Sequence, residues 1–383
     1  MPMFASMAGI YLHIPFCRKA CHYCNFHFST SFRMKDEMVQ ALITELELQS
    51  GYLQGQRIET LYFGGGTPSA LSSQDISILV DQVHQHFETT DDAEITLEAN
   101  PDHIHADNLK AWKKAGINRL SLGIQAFQDE LLGAWNRSHS ADQASKSLEL
   151  IREAGFENIT ADLIYGGPGL TDEAWESNIQ KLIDAGIPHI SSYALTVETG
   201  TALHHQVAKG KVVAPDDDQA NRQYAILQER LNAAGILQYE VSNFGKPGFE
   251  SKHNMSYWSG VHYLGIGPSA HSFNTESRQW NIAHNIKYIE ALTAGNIPFE
   301  KEQLTPRQQY HELVMTGLRT IKGIDRKRLD LLGDRYVQHL EAQVSAYLEK
   351  GMITISDSGN WVLRPAYFFF ADGIASDLFM DPA

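Results

Sequence analysis

Ile14-Pro-Phe-Cys17-Arg-Lys-Ala-Cys21-His-Tyr-Cys24-Asn-Phe26 contains every cysteine of the 383-residue chain. It follows a short apolar run, Ile10 to Ile14. Three thiols so close together are poorly explained as independent core residues. A curled loop brings all three sulfurs to one centre. Thiolates are soft ligands that select zinc, copper or an iron–sulfur cluster. Three ligands leave such a centre unfinished. In a four-iron cluster, one iron stays open to an outside ligand. In a zinc site, His22 or His27 is near enough in sequence to supply a fourth ligand. Spacing alone leaves both open. A redox-active pair of Cys21 and Cys24 fits less well, because no thioredoxin-like βαβ pattern flanks it and Cys17 stays unexplained.

Outward from the cysteines, strand and helix signals alternate. Residues 10–13 read as a strand. Residues 35–50 read as a helix whose Val39, Leu42, Ile43 and Leu46 recur at helical spacing. Ile58 to Phe63 is β-rich and ends in Gly64-Gly65-Gly66-Thr67-Pro68, and Ser72 with Asp75 signals a helix N-terminus. Strands at 94–98, 119–124, 159–164 and 189–195 and helices at 107–115, 141–154 and 171–184 continue the series. Six alternations predict a parallel sheet covered by helices. Gly64-Gly65-Gly66 is not the dinucleotide-binding fingerprint, and the unusual residues sit just after the strands, where barrels place their sites. The reading is an α/β fold: a partial (β/α)6 barrel over 1–200, open on one side to a large substrate.

Residues 201–300 read as an extension that closes the barrel. It includes a helix from Asp216 to Ala234, the segment His253-Asn254-Met255-Ser256-Tyr257-Trp258, and a further helix over 281–294. Residues 301–383 read as helices at 306–320 and 325–350 followed by a hairpin around Ser358-Gly359, a winged-helix-like order. Fold analogy to DNA-binding winged helices is weak evidence, and a formal charge of −15 argues against nucleic acid as partner. The basic run Lys322 to Arg335 reads as a solvated helix face. No apolar stretch is long enough to span a membrane. No signal-peptide pattern opens the chain. Unpaired thiols then point to a reducing compartment, the cytoplasm.

Cys-x3-Cys-x-Tyr-Cys at Cys17 to Cys24 resembles the radical S-adenosylmethionine (radical SAM) signature. Nearly the whole chain resembles the oxygen-independent coproporphyrinogen III oxidase family, and within it the branch of heme chaperones. The resemblance implies a [4Fe–4S] cluster on Cys17, Cys21 and Cys24 and an S-adenosylmethionine site beside it. Gly65, Gly66 and Thr67 would contact the methionyl part, and Arg137 would pair with its carboxylate. Glu98 would accept from the ammonium or a ribose, and Asp162 would take the ribose hydroxyls. Gln125, Tyr11, Tyr23 and Ala194 match further cofactor contacts, and His13 shares a strand side with Tyr11.

The resemblance also separates two activities. Where the decarboxylating oxidase has a further cysteine two residues after the third, this chain has Phe26. Where the oxidase has a phenylalanine before the third cysteine, this chain has Tyr23. It also has a shorter lead-in before Tyr11. These departures favour binding and handing over heme; the oxidase activity is the alternative, and a radical methyltransferase-like enzyme is more remote. His253, and His271 in Tyr263-Leu-Gly-Ile-Gly267-Pro-Ser-Ala-His271, are the candidate heme contacts. A heme-accepting protein and an electron donor are the implied partners.

Overall fold

The computed structural model describes residues 7–381. The lead-in of residues 1–6, and the start-of-chain reading that rests on it, lie outside that range. Six units fill the first half. β1 (Met7–Ile14) leads through the cysteine loop to α1 (Lys35–Leu48), β2 (Arg57–Gly65) to α2 (Ser73–His86), and β3 (Thr89–Ala99) to α3 (Ala106–Lys114). β4 (Arg119–Gln125) leads to α4 (Asp129–Ala134) and α5 (Ala141–Glu153), and β5 (Asn158–Tyr165) to α6 (Asp172–Asp184). β6 (His189–Ala194) leads to α7 (Ala202–Ala208) and α8 (Asp217–Ala233). β1 to β6 lie side by side in chain order, and every pairing is parallel.

The local chemistry explains the helix starts. The Ser72 hydroxyl accepts from the Asp75 N–H while the Asp75 carboxylate accepts from the Ser72 N–H, a closed capping box. Ser140 and Gln143 do the same for α5, and Thr171 caps α6. The strands alternate over most of their length, with register irregularities in the pairings of β1 with β2, β2 with β3 and β4 with β5. Leu61, Phe63, Leu97, Leu120, Leu122 and Leu163 are buried on the helix side. The opposite face carries Thr60, Glu94, Thr96, Arg119, Ser121, Thr160, His189 and Ser191, also buried. A parallel sheet buried on both faces ordinarily reads as continuous apolar runs; this one has a polar interior.

The sheet does not stop at six strands. It has twelve, in the order β12-β11-β10-β9-β1-β2-β3-β4-β5-β6-β8-β7. β7 (Leu237–Gln238) and β8 (Asn243–Gly245) extend the β6 edge antiparallel. After α9 (Lys252–Ser259), β9 (Tyr263–Ile266) pairs in parallel with β1, so a late segment covers the first strand. β10 (His271–Phe273), β11 (Ser277–Asn281), α10 (Asn285–Thr293) and β12 (Phe299–Gln303) complete that edge. The expected helix over 281–294 is therefore shorter: Asn281 ends β11, and the His284 ring caps α10 by accepting from the Lys287 N–H.

The C-terminal part comprises α11 (Pro306–Leu318), α12 (Arg326–Leu332), α13 (Asp334–Glu349), the hairpin β13 (Ile353–Ile355) with β14 (Trp361–Leu363), and α14 (Ala371–Asp377). The expected single helix over 325–350 is broken at Gly333, whose φ of 108° only glycine adopts readily. Of the basic run, Arg326 is ion-paired, reaching Asp330 at 2.8 Å and Glu341 at 2.9 Å, while Lys322, Lys327 and Arg335 are exposed. No helix among the described residues is long and apolar enough to cross a membrane.

Candidate cofactor site

The cysteine loop is seated on the end of β2. The Gly66 N–H donates to the Ile14 carbonyl at 2.9 Å and the Thr67 N–H to the Phe16 carbonyl at 2.7 Å. A Cβ on Gly66 would stand 2.7 Å from the Phe16 oxygen and 2.8 Å from its nitrogen, so only glycine permits this seating. The Cys24 N–H donates to the Cys21 carbonyl at 3.2 Å, closing the curl. All three thiols line one cavity of about 410 Å³ together with Tyr23, Gly65, Gly66, Thr67, Glu98, Gln125, Arg137, Asp162 and Ala194. A cavity of that volume is on the scale of one small-molecule ligand.

The strand-end residues converge as expected, with particular partners. The Arg137 guanidinium donates from Nη1 to Cys21 Sγ at 3.3 Å and to the Tyr23 hydroxyl at 3.4 Å. Its Nη2 donates to Asn100 Oδ1 at 2.8 Å and to the Gly123 carbonyl at 2.7 Å. Its buried Nε meets no partner among the described residues. The fork is thus largely held by the protein, and it does not stand free as a bidentate clamp. Thr67 Oγ1 donates to Cys17 Sγ at 3.4 Å, and burial pushes the Cys17 thiol up to about 11. Gln125 has a left-handed φ of 70°, a strained conformation of the kind stored at functional sites.

Glu98 accepts from the Tyr62 hydroxyl at 2.8 Å, and Asp162 accepts from Ser121 at 3.4 Å. Burial lifts the Glu98 carboxyl to about 7 and the Asp162 carboxyl to about 6. Two carboxylates with raised pKa values, facing one cavity, suit a cationic or hydroxyl-bearing ligand.

The donor set fits an open iron–sulfur cluster better than a closed zinc knuckle. Neither histidine near in sequence lines the cavity that the thiols face: His22 Nδ1 bonds the Ala134 carbonyl at 2.8 Å and His27 Nε2 bonds Asn285 Oδ1 at 2.7 Å, both outside it. Three cavity-facing thiols, an orphaned guanidinium nitrogen and a glycine cradle with no room for a Cβ match a cluster with an adjacent charged cofactor.

Three expected residues stand elsewhere. Tyr11 is not a cavity-lining residue; its ring stacks on Tyr62 and its hydroxyl meets His13 Nδ1 at 3.3 Å. His253 is corrected as a heme contact. It is 1% exposed, and its Nδ1 bonds Thr60 at 2.8 Å while its Nε2 bonds Tyr257 at 2.8 Å. Both nitrogens are used, and burial lowers its pKa to about 3, so it packs α9 into the barrel as a neutral ring. His271 is exposed on β10, stacked on Trp280 and outside the cavity.

Sequence reasoning missed Asn100, Ser121, Gly123 and Tyr193, which also line the cavity. The signal was present: Glu94-x-Thr96-x-Glu98, Arg119-x-Ser121-x-Gly123 and His189-x-Ser191-x-Tyr193 are period-two polar runs.

A helix-covered parallel sheet with three thiols on the loop after its first strand, facing a strand-end cavity, defines the radical SAM class. Residues 11–182 match the Radical SAM superfamily model and residues 304–369 the HemN C-terminal domain model. A Mycobacterium tuberculosis protein named Heme chaperone HemW is 38% identical over 333 residues, covering 86% of this chain and 85% of that protein. Its Bacillus subtilis namesake is 36% identical over 359 residues, covering 92% and 94%. The solved structure of Escherichia coli coproporphyrinogen III oxidase (HemN), a radical SAM enzyme, superposes with a TM-score of 0.82 at 23% identity, covering 97% of this chain and 89% of that one; at this identity the likeness is one of fold. The chain belongs to the HemW/HemN family of radical SAM proteins. That membership implies the use of a [4Fe–4S] cluster and S-adenosylmethionine.

Proposed function

We propose that this protein is a heme carrier that binds heme and passes it to an acceptor protein, with a cluster on Cys17, Cys21 and Cys24 and S-adenosylmethionine beside it. The names of its relatives supply heme as cargo. The observation that carries the choice between carrying and decarboxylating is the make-up of the cavity. It has the volume of one ligand, and its charged lining consists of Glu98, Asp162 and Glu198 against Lys19 and Arg137. Arg137 is held by four protein groups. A substrate with four propionates needs cations at its carboxylates. Once the cofactor fills the cavity, a tetrapyrrole has its place at the rim.

Gly66 and Thr67 hold the cysteine loop in register, and Arg137 places positive charge beside Cys21. Glu98 and Asp162 would hold the cofactor's ammonium and ribose, and Gly65, where an added Cβ would stand 2.6 Å from the His13 ring, puts its backbone at the cavity wall. When bound, the cluster supplies a single electron to the cofactor's sulfonium. Phe26, 67% exposed at the rim, offers apolar contact to a flat ring.

The test is hemin titration of anaerobically reconstituted protein, with and without S-adenosylmethionine, while coproporphyrinogen III conversion is assayed. Stoichiometric uptake with no protoporphyrinogen IX formed is the expected result. Turnover to protoporphyrinogen IX would establish the oxidase instead.

A further inference from the structure

A protein surface that holds heme offers an axial ligand for the iron, commonly an imidazole, cations for the propionates and apolar contact for the ring. We propose that α7 and the residues after it supply these, with His205 as the ligand to the heme iron. The inference rests on the reading of the protein as a heme carrier.

Many of the histidine rings are already committed within the fold. His13, His103, His139, His189 and His253 are buried and hydrogen-bonded inside the fold. His22 and His27, on the cysteine loop, are tied to Ala134 and Asn285. His205 is exposed, and its ring forms no hydrogen bond among the described residues. Its neighbour His204 stands 5.4 Å away between ring centroids, with a buried Nδ1 that has no partner among the described residues. His204 faces the protein, and His205 faces out.

Position favours the same residue. The Leu203 N–H donates to the His22 carbonyl at 2.7 Å, so α7 lies against the cysteine loop one residue from Cys21. Thr196 and Glu198 line the cavity, and the chain runs from them directly into the Thr201 cap of α7. The first turn of α7 therefore lies beside the cysteine loop, with His205 on its exposed side. One turn later come Lys209 and Lys211, both exposed and in no ion pair among the described residues. Val213 follows, 78% exposed. An imidazole, two cations and an uncovered valine within nine residues match the three demands of heme. Exposed His271 lacks this setting: it is stacked on Trp280, two strands from β1.

Hemin titration of the reconstituted full-length protein tests the assignment, read by the Soret band and by magnetic circular dichroism. Losing an outer-shell partner of a metal ligand costs about 10–100-fold in affinity, so His205→Ala should weaken hemin binding at least about tenfold. It should also abolish the imidazole-ligated spectrum, with exogenous imidazole restoring it. Metal-free protoporphyrin IX should bind His205→Ala like the parent, whereas Lys209→Glu with Lys211→Glu should weaken both ligands. Unchanged hemin spectra in His205→Ala overturn the assignment. So does loss of the imidazole spectrum in His271→Ala, or in a His253→Ala protein of native circular dichroism. A parent protein that takes up no hemin overturns the carrier reading itself, whereas a parent that binds and a His205→Ala variant that binds equally overturn only the ligand.

Discussion

Arg137 is held more by its neighbours than by its charge. Asn100 lies 37 residues before it in sequence and Gly123 lies 14 before it, and both fix the same Nη2. A Cβ on Gly123 would stand 3.1 Å from that nitrogen and 3.1 Å from Gln125 Nε2. Gly123→Ala should therefore displace two side chains while leaving the charge of the cavity unchanged. We expect S-adenosylmethionine affinity, measured by equilibrium dialysis, to fall about tenfold, equivalent to ~1.4 kcal/mol. The carboxyls give a second expectation. Glu98 titrates near 7 and Asp162 near 6 when folded, against 4.5 and 3.8 ordinarily, chiefly because of burial. The unfolded chain loses these protons first. The pair therefore withdraws stability as pH rises from about 4 to 7, and the loss is complete above about 7. Glu98→Gln should raise apoprotein stability at alkaline pH by roughly 1–3 kcal/mol and leave it nearly unchanged at acid pH, as read by urea midpoints. Several of the residues that line the cavity, such as Glu98 and Gln125, stand out in the sequence because they fall at strand ends, and the resemblance adds Arg137 and Tyr23. Their ties were not legible, because a carbonyl such as that of Gly123 leaves no trace in residue type.

Between elements, the contact that matters most is the one between the β2 terminus and the cysteine loop. It consists of two backbone hydrogen bonds made possible by a missing side chain at Gly66. Gly66→Ala should push the loop off the strand end, and the reconstituted protein should lose most of its iron and its iron–sulfur absorbance with little change in far-ultraviolet circular dichroism. Retention of full iron content would refute that account. The six β–α units were legible because apolar periodicity and caps such as Ser72 and Thr171 agree with each other. The outer strands were not. Phe299–Gln303 is exposed along most of its length, and Ser277–Asn281 is largely polar, so neither announces a buried face. α9 escaped notice because eight residues with few aliphatic side chains show little periodicity.

At the scale of the whole molecule, the C-terminal helices hold the barrel's inner plug in place. α11 packs on α9, and the chain just after it is tied to the strand region by the Val241 N–H donating to the Arg319 carbonyl at 2.9 Å and the Ile321 N–H donating to the Tyr239 carbonyl at 3.2 Å. The Arg319 guanidinium lies 5.4 Å from the Trp258 ring centroid, over the end of α9. Removal of residues 304–383 should therefore abolish the cooperative thermal transition of the remaining chain and increase its binding of hydrophobic dye. A sharp transition at the parent's temperature would show the two parts to be independent.

The pairing of β1 with β9 has a consequence for biosynthesis. The far edge of β1 finds its partner only after residues 263–266 have been made. Until then its amides are open to any other nascent strand, and the thiols that follow it lie on an unfinished scaffold. The edge beside the thiols is thus completed only once residues 263–266 are in place, and iron starvation should leave behind folded, colourless protein.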